Sequence, residues 1–325
     1  MSKLVTIFGG SGFVGRYIAR RMAQNGWRVR VAVRNTNEAM FVRTYGAVGQ
    51  VEPVFCNIRD DASVAAVTQG ADAVVNCVGV LAELHKNTFA AVQAEGATRI
   101  ARVAAAMGVA RMVQLSAIGA SDTSASAYAR TKAAGEQGVL DHMPDAMILR
   151  PSIIFGAEDE FFNRFAGMTR LGPVLPVIGA DTRFQPVYVD DVAAAVMGVL
   201  GEVPGGIYEL GGPDVATFRE LMQTMLAVVR RRRMILNMPF WAARIMAGGF
   251  NILRVVSLGL VTPPVTRDQV ANLAVDNVVS DGAKGFADLG ITPTAMMAVL
   301  PDYLWRFRPS GQYDAIKESA KNLRP

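Results

Sequence analysis

A tyrosine and a lysine stand four residues apart in Tyr128-Ala-Arg-Thr-Lys132, a spacing that puts both on one face of a helix. An ammonium beside a phenol favours the phenolate and lowers its pKa. Such a pair can pass a proton to or from a substrate oxygen while a nicotinamide moves hydride. Ser116, at the end of a predicted strand, can orient that oxygen, and Ser124 and Ser126 are rivals for the role. Y-x-x-x-K alone is a common pattern, and Lys132 can equally hold ribose hydroxyls without any catalysis. His85 and the acidic cluster Glu158, Asp159 and Glu160 are weaker candidates. They read as solvated loop groups, although the acidic loop is expected to overhang a nicotinamide pocket. No residues have the spacing of a metal site or a nucleophile elbow.

Such chemistry needs a cofactor, and the N-terminus supplies the element to hold one. A short apolar strand, Lys3–Phe8, runs into Gly9-Gly10-Ser11-Gly12-Phe13-Val14-Gly15, and a helical pattern follows through Ala23. Glycines in this order allow a tight turn, let the backbone approach a pyrophosphate, and let helix pack closely on strand. The helix N-terminus offers N–H groups and a positive dipole end to the phosphates. A second strand, Trp27–Val33, comes on cue. The residue about 20 positions past the loop reads the adenosine ribose, an acid for a 2′-hydroxyl and an arginine for a 2′-phosphate. Here that place holds Arg34, followed by Asn35, and the first acid is Glu38. The expected cofactor is therefore NADPH or NADP⁺.

The alternation continues. Val51–Cys56, Ala73–Val78, Arg111–Leu115 and Ala146–Arg150 read as strands, and Phe89–Met107 and Ser124–Asp141 as helices. Near-continuous apolar strands between helices predict a parallel sheet covered on both faces. Phe155–Gly179 reads as a loop rich in Phe, Gly and Pro, followed by a strand at Phe184–Val189 and a helix opened by Asp190 and Asp191. The predicted fold is α/β, a Rossmann-type doubly wound sheet over residues 1–215 with a smaller, mostly helical part over 216–325.

The chain has 325 residues, of which 51% are hydrophobic and 19% charged, a composition for a substantial core and against disorder. Cys56 and Cys77 suit neither a metal site nor a disulfide framework and read as buried, reduced thiols. A strand starting at residue 3 leaves no room for a signal peptide. Charge is uneven: residues 1–216 hold 19 Lys/Arg against 20 Asp/Glu, and residues 217–325 hold 14 against 8. The basicity lies in the last third and favours an anionic partner.

With these residues in hand, the chain resembles the short-chain dehydrogenase/reductase superfamily in its extended or atypical form. More narrowly it is similar to the Rossmann-type accessory subunits of respiratory NADH:ubiquinone oxidoreductase (complex I), in their alphaproteobacterial form. The stretches that carry this are GGSGFVG from Gly9 with Arg16-Tyr17, QLSAIGA from Gln114, YARTKAAGE from Tyr128, LRPSIIFGAEDEFFNRF from Leu149, QPVYVDDV from Gln185 and IYELGGP from Ile207. The glycine loop and the Tyr/Lys pair mark the superfamily; Arg150–Phe165 and Gln185–Val192 are the more specific. The resemblance implies a tightly held, structural or sensory NADP(H). Gly9, Ser11, Gly12, Phe13 and Gly15 would hold the pyrophosphate and Arg34 the 2′-phosphate. Asn57 and Ile58 would edge the adenine, at a position usually aspartate in the superfamily. Cys77, Val78 and Gly79 would line the cofactor, Tyr128 and Lys132 would meet the nicotinamide ribose, and Pro151 to Ile154 the nicotinamide side. It further implies other complex I subunits as partners and a peripheral place on the cytoplasmic face of the bacterial inner membrane.

Arg230–Arg233 are four arginines in a row, followed by the apolar stretch Met234–Pro264. On a helix from Phe240 to Ser257, Arg244 and Asn251 fall on nearly one side and Arg254 lies off it, leaving a broad apolar arc. Gly248-Gly249 and the charges break it too much to span a bilayer. It reads as a membrane-surface segment in contact with anionic lipid, a partner-docking surface or a lid, with Trp305, Arg306 and Arg308 suited to the same role. No reader motif points to nucleic acid. Three functions follow: a complex I accessory subunit, an NADPH-dependent reductase or epimerase using Ser116, Tyr128 and Lys132, and an NADP(H)-sensing regulator.

Overall fold

The computed structural model describes residues 2–84, 86–198, 203–256, 266–309, 311 and 313, with the side chains of 250–256 left aside. His85 therefore lies outside the described residues, as do the side chains of Asn251 and Arg254. The chain forms two compact units that interleave in sequence. Unit 1 is built from residues 1–152, 189–211 and 279–293, and unit 2 from 153–188, 212–278 and 294–325. The single boundary expected after residue 215 is thus replaced by a chain that passes repeatedly from one unit to the other.

In unit 1 the chain runs β1 (Leu4–Phe8), α1 (Phe13–Gln24), β2 (Arg28–Val33), β3 (Val51–Phe55), α2 (Asp61–Thr68), β4 (Ala73–Asn76), α3 (Glu95–Ala106), β5 (Arg111–Leu115), α4 (Ala127–His142) and β6 (Met147–Pro151). Unit 2 takes over with β7 (Ile154–Phe155), α5 (Phe162–Met168), β8 (Val174–Ile178), β9 (Arg183–Phe184) and β10 (Val187–Tyr188). Unit 1 resumes with α6 (Val189–Met197) and β11 (Gly206–Leu210). Unit 2 continues with β12 (Ala216–Thr217), α7 (Phe218–Val228), β13 (Met234–Met238), α8 (Phe240–Val256), α9 (Arg267–Asn272) and α10 (Met296–Leu304).

Seven parallel strands make the sheet of unit 1, in the order β11-β6-β5-β4-β1-β2-β3. This is the doubly wound α/β architecture with a mostly helical C-terminal part, as the alternating pattern predicts. Strands covered on both faces must be apolar throughout, and β4 and all of β1 but its first residue are fully buried. α1 packs beside α6, where Arg21 grips Asp190 with two bonds of 2.7 and 2.6 Å. The opposite layer is α2, α3 and α4. The strand order runs one way from β1 through β2 to β3 and the other way from β4 through β5 to β6, so it reverses between β1 and β4, the place where open α/β sheets hold ligands beyond their carboxyl ends.

Three local expectations change. The long helix expected over Phe89–Met107 is a π-helical turn at Ala90–Ala94 leading into α3. Gln93 in that turn is buried and bonds the Val80 carbonyl and the Thr131 hydroxyl. The strand expected over Phe184–Val189 is two short ones, β9 and β10, which pair with different strands. The expected loop Phe155–Gly179 contains β7, α5 and β8 and supplies the aromatic core of unit 2. There Phe161 stacks on Phe218 at 5.5 Å, and Phe162, Phe165 and Phe184 pack edge-on around them. Among the described residues no helix is long and apolar enough to cross a membrane.

Candidate functional site

The carboxyl edge of the unit 1 sheet gathers most of the residues singled out in the sequence. Gly9 follows β1 with φ +74°, a conformation that glycine adopts at no steric cost, and its N–H bonds the Ala32 carbonyl of β2 at 2.9 Å. The chain turns so tightly that Gly12 donates to the Gly9 carbonyl at 3.0 Å. A β-carbon on Gly15 would stand 2.3 Å from that same oxygen and 2.6 Å from Gly10 Cα. Side chains are thus excluded where the loop and helix meet. α1 begins with no side-chain cap and no acid in its first turn, which leaves its positive end to a ligand. Ser11 and Phe13 flank Gly12 in this turn, and Arg16 ties it down through the carbonyls of Ser11 and Gly12.

Arg34 follows the end of β2, exposed, with no hydrogen bond or ion pair among the described residues. The nearest acid in sequence, Glu38, is bonded by the Asn35 amide at 2.7 Å. At the end of β3, Asn57 accepts from the Arg59 backbone N–H and guanidinium. Its carbonyl is occupied in that turn, and the amide nitrogen is the part left for an adenine edge. Ile58 packs into the core behind it.

Cys77, Val78 and Gly79 follow β4. The Asn76 side chain fixes the turn by accepting from Val78 N–H at 3.0 Å and donating to Gln114 at 2.8 Å. Burial pushes the Cys77 thiol up to about 12, against the pull of Lys132, so it stays protonated and unreactive. Lys132 is buried and donates to the Leu115 carbonyl at 3.2 Å. Its ammonium lies 5.9 Å from the centre of the Tyr128 ring, and a β-carbon on Gly79 would stand 3.4 Å from it. Burial pulls Lys132 down to about 8, opposed by Glu136 and Cys77. The Tyr128 ring is held edge-on by Phe89 at 5.8 Å.

Ser116, next to Leu115, is buried, and among the described residues its hydroxyl has no hydrogen-bond partner. A buried hydroxyl without a partner costs free energy unless a ligand supplies one. Its rivals are already committed: Ser126 caps α4 by accepting from Ala129 N–H, and Ser124 accepts from Ser126 N–H. Pro151 ends β6 in unit 1, whereas Ile154 opens β7 in unit 2.

Two groupings escaped the sequence reading. Glu136, buried on α4, holds Arg150 of β6 by bonds of 3.0 and 2.6 Å, and Glu209 of β11 sits 3.6 Å from the same guanidinium. The charges are isolated in sequence, and only the sheet order reveals the group. In unit 2, Asp159 is not a solvated loop acid. It is buried, accepts from Tyr303 at 2.5 Å and from the backbone of Gly156 and Asn163, and burial raises its pKa. Among the described residues no cluster of His, Cys, Asp or Glu is arranged to hold a metal ion.

An uncapped helix behind a glycine cradle, a free arginine after β2 and an orphaned serine beside a buried lysine fit a dinucleotide lying across this edge. The comparisons agree with the fold. The chain is 36% identical to NADH dehydrogenase (ubiquinone) 1 alpha subcomplex subunit 9 from the mitochondria of Arabidopsis thaliana, over 95% of this chain and 79% of that one. It is 31% identical to a ceramide reductase of Caulobacter vibrioides, over 73% of this chain and 74% of the relative. An NADPH-dependent quinone oxidoreductase from Escherichia coli shares the fold with a TM-score of 0.70 at 18% identity, over 92% of this chain and 98% of that one. The signature of the NAD dependent epimerase/dehydratase family matches residues 5–211, from β1 to the end of β11. With the sheet order and the glycine turn in agreement, the chain belongs to that family.

Proposed function

We propose that this chain is an accessory subunit of respiratory complex I that holds NADP(H) at the carboxyl edge of unit 1 in a structural or regulatory role. The observation that carries the reading is the 36% identity to subunit 9 of the alpha subcomplex, which runs over 95% of the chain and so includes both units. Its partners are the other subunits of the complex, and its place is peripheral, near the membrane on the cytoplasmic face, with the basic last third turned to partners or anionic lipid.

Gly9, Gly12 and Gly15 admit the pyrophosphate backbone-to-phosphate, with Ser11 and Phe13 beside it. Arg34 grips the 2′-phosphate, and its guanidinium suits this because nothing among the described residues competes for its fork. Asn57 and Ile58 edge the adenine. Cys77 to Gly79 line the middle and Pro151 the nicotinamide side. Lys132 and Tyr128 hold the nicotinamide ribose. When bound, the nicotinamide supplies hydride chemistry. Were a substrate turned over there, Tyr128 would carry the proton for its oxygen, Lys132 would hold its ammonium beside that ring, and Ser116 would offer the oxygen its hydroxyl.

That unpartnered Ser116 hydroxyl and the ceramide reductase relative favour a second reading, a working NADPH-dependent reductase. A tagged pull-down from gently solubilised native membranes separates the two. Stoichiometric recovery of the NADH:ubiquinone oxidoreductase core is expected. Recovery of the chain alone, with NADPH oxidation by the isolated protein on a carbonyl panel, would install the reductase. For the cofactor, Arg34→Asp is expected to weaken NADPH retention and leave NADH binding equal or better; unchanged NADPH occupancy would sink the 2′-phosphate role.

A further inference from the structure

The arginine run builds a cavity that the dinucleotide site does not use. α7 ends in a turn in which Arg230 N–H bonds the Ala227 carbonyl and Arg231 N–H bonds that of Leu226, with Arg230 in the left-handed region at φ +53°. Arg230 is the only non-glycine residue with positive φ among the described residues. Glycine is the usual residue there, so the turn is kept at a cost, and it delivers Arg231, Arg232 and Arg233 beside the last turns of α7. Arg219, Gln223 and Leu226 recur along one face of that helix. With the three arginines and Ile235 of β13 they line a cavity of about 360 Å³.

Four guanidiniums meet here, and none forms an ion pair among the described residues. Two are anchored: Arg231 donates through Nε to the Phe307 carbonyl and Arg233 through Nε to that of Thr169, both at 2.9 Å. Fixing Nε leaves the terminal nitrogens of Arg231 for a ligand. The side chains of Arg219 and Arg232 make no hydrogen bond in the described chain. Burial and the neighbouring Arg233 and Arg170 hold Arg231 below the usual arginine pKa.

We infer that this cavity is a second anion site, which takes a phosphate ester through Arg219, Arg231, Arg232 and Arg233. Guanidinium forks match phosphate oxygens two at a time. Leu226 and Ile235 beside the arginines offer contact to an organic body. A free phosphomonoester and the headgroup of an anionic phospholipid share this chemistry. The inference does not require assembly into a larger complex.

The test uses the isolated full-length chain and two probes, glycerol 3-phosphate by calorimetry and flotation with phosphatidylcholine vesicles with or without phosphatidic acid. Arg219→Gln with Arg232→Gln removes two cations whose side chains hold nothing among the described residues, so its thermal midpoint should stay put. Arg20→Gln with Arg28→Gln removes equal charge from unit 1. Wild type is expected to bind at least one probe, the first pair to weaken that binding about tenfold or more, and the second pair to leave it unchanged. Binding at the glycine loop would survive both pairs and cannot mimic this pattern. Phosphatidic acid alone as the responsive probe identifies a headgroup site; a response to glycerol 3-phosphate identifies a soluble ester. No binding of either probe by wild type, or equal losses in the two pairs, overturns the site.

Discussion

Unit 1 prepares its edge by leaving side chains out. Gly9, Gly12 and Gly15 bring backbone against backbone, α1 starts without a cap, and the residues before Ala216 are nearly neutral in sum. Unit 2 does the reverse at its arginine turn, where four long cationic side chains converge and two are pinned by carbonyls far away in sequence. The cores differ in the same way. The main core cluster of unit 1 sets Val, Ile, Ala and Met around one phenylalanine, Phe8, whereas that of unit 2 is held by several phenylalanines. A site made of backbone is specified by a short contiguous motif. A site made of side chains is specified only once the fold has brought them together.

If unit 2 depends on its aromatic cluster, Phe162→Ala should cost about 3–5 kcal/mol, because that ring is fully buried among other rings. Urea titration measures it, and a loss below about 1 kcal/mol would show the cluster to be replaceable filling.

Lys132 gives the next largest effect. The folded chain releases this proton at about 8, and the unfolded chain holds it to about 10.5. Between those values the unfolded state binds more protons, so rising pH favours folding. Relative to Lys132→Met, wild type should gain up to about 3 kcal/mol across that window. A flat difference between the two proteins from neutral to alkaline pH would mean that the ammonium is solvated.

Gly15→Ala sharpens the contrast between the two kinds of site. The added methyl must displace the Gly9 carbonyl, at about 2 kcal/mol of overpacking, and NADPH retention should fall with the thermal midpoint. An unchanged midpoint would mean that the loop yields easily. The smallest expected effect is a gain. Arg230→Gly relieves the left-handed backbone and should stabilise the protein by about 1 kcal/mol, read as a rise in thermal midpoint. A fall would show that the Arg230 side chain outweighs its strain.

What was legible in the sequence follows the same division. The strand-glycine-helix opening, the β/α alternation and Tyr128/Lys132 depend on neighbours within a few residues, so pattern alone located them. Asp159 did not, because its buried partner Tyr303 lies 144 residues away. Phe161 reads as a loop residue because two of its packing partners, Phe184 and Phe218, come from later elements. Arg150, Glu136 and Glu209 looked like scattered charges until β6 and β11 were paired. The four arginines were visible as a run, but Arg219 and the cavity were not, since only the helix face and the turn bring them together.

Glu209 carries a consequence for synthesis. Its carboxylate accepts from Ser280 N–H and its own N–H donates to the Lys284 carbonyl, both at 2.8 Å. Ser280 and Lys284 reach it only after most of unit 2 has been made. A ribosome therefore releases every strand of the sheet well before the last piece of unit 1 exists. Until then Glu209 of the end strand β11 has an N–H awaiting its partner, and its carboxylate has Arg150 but not Ser280. Nascent chains halted anywhere between residues 211 and 279 should share this one defect, whatever part of unit 2 they contain.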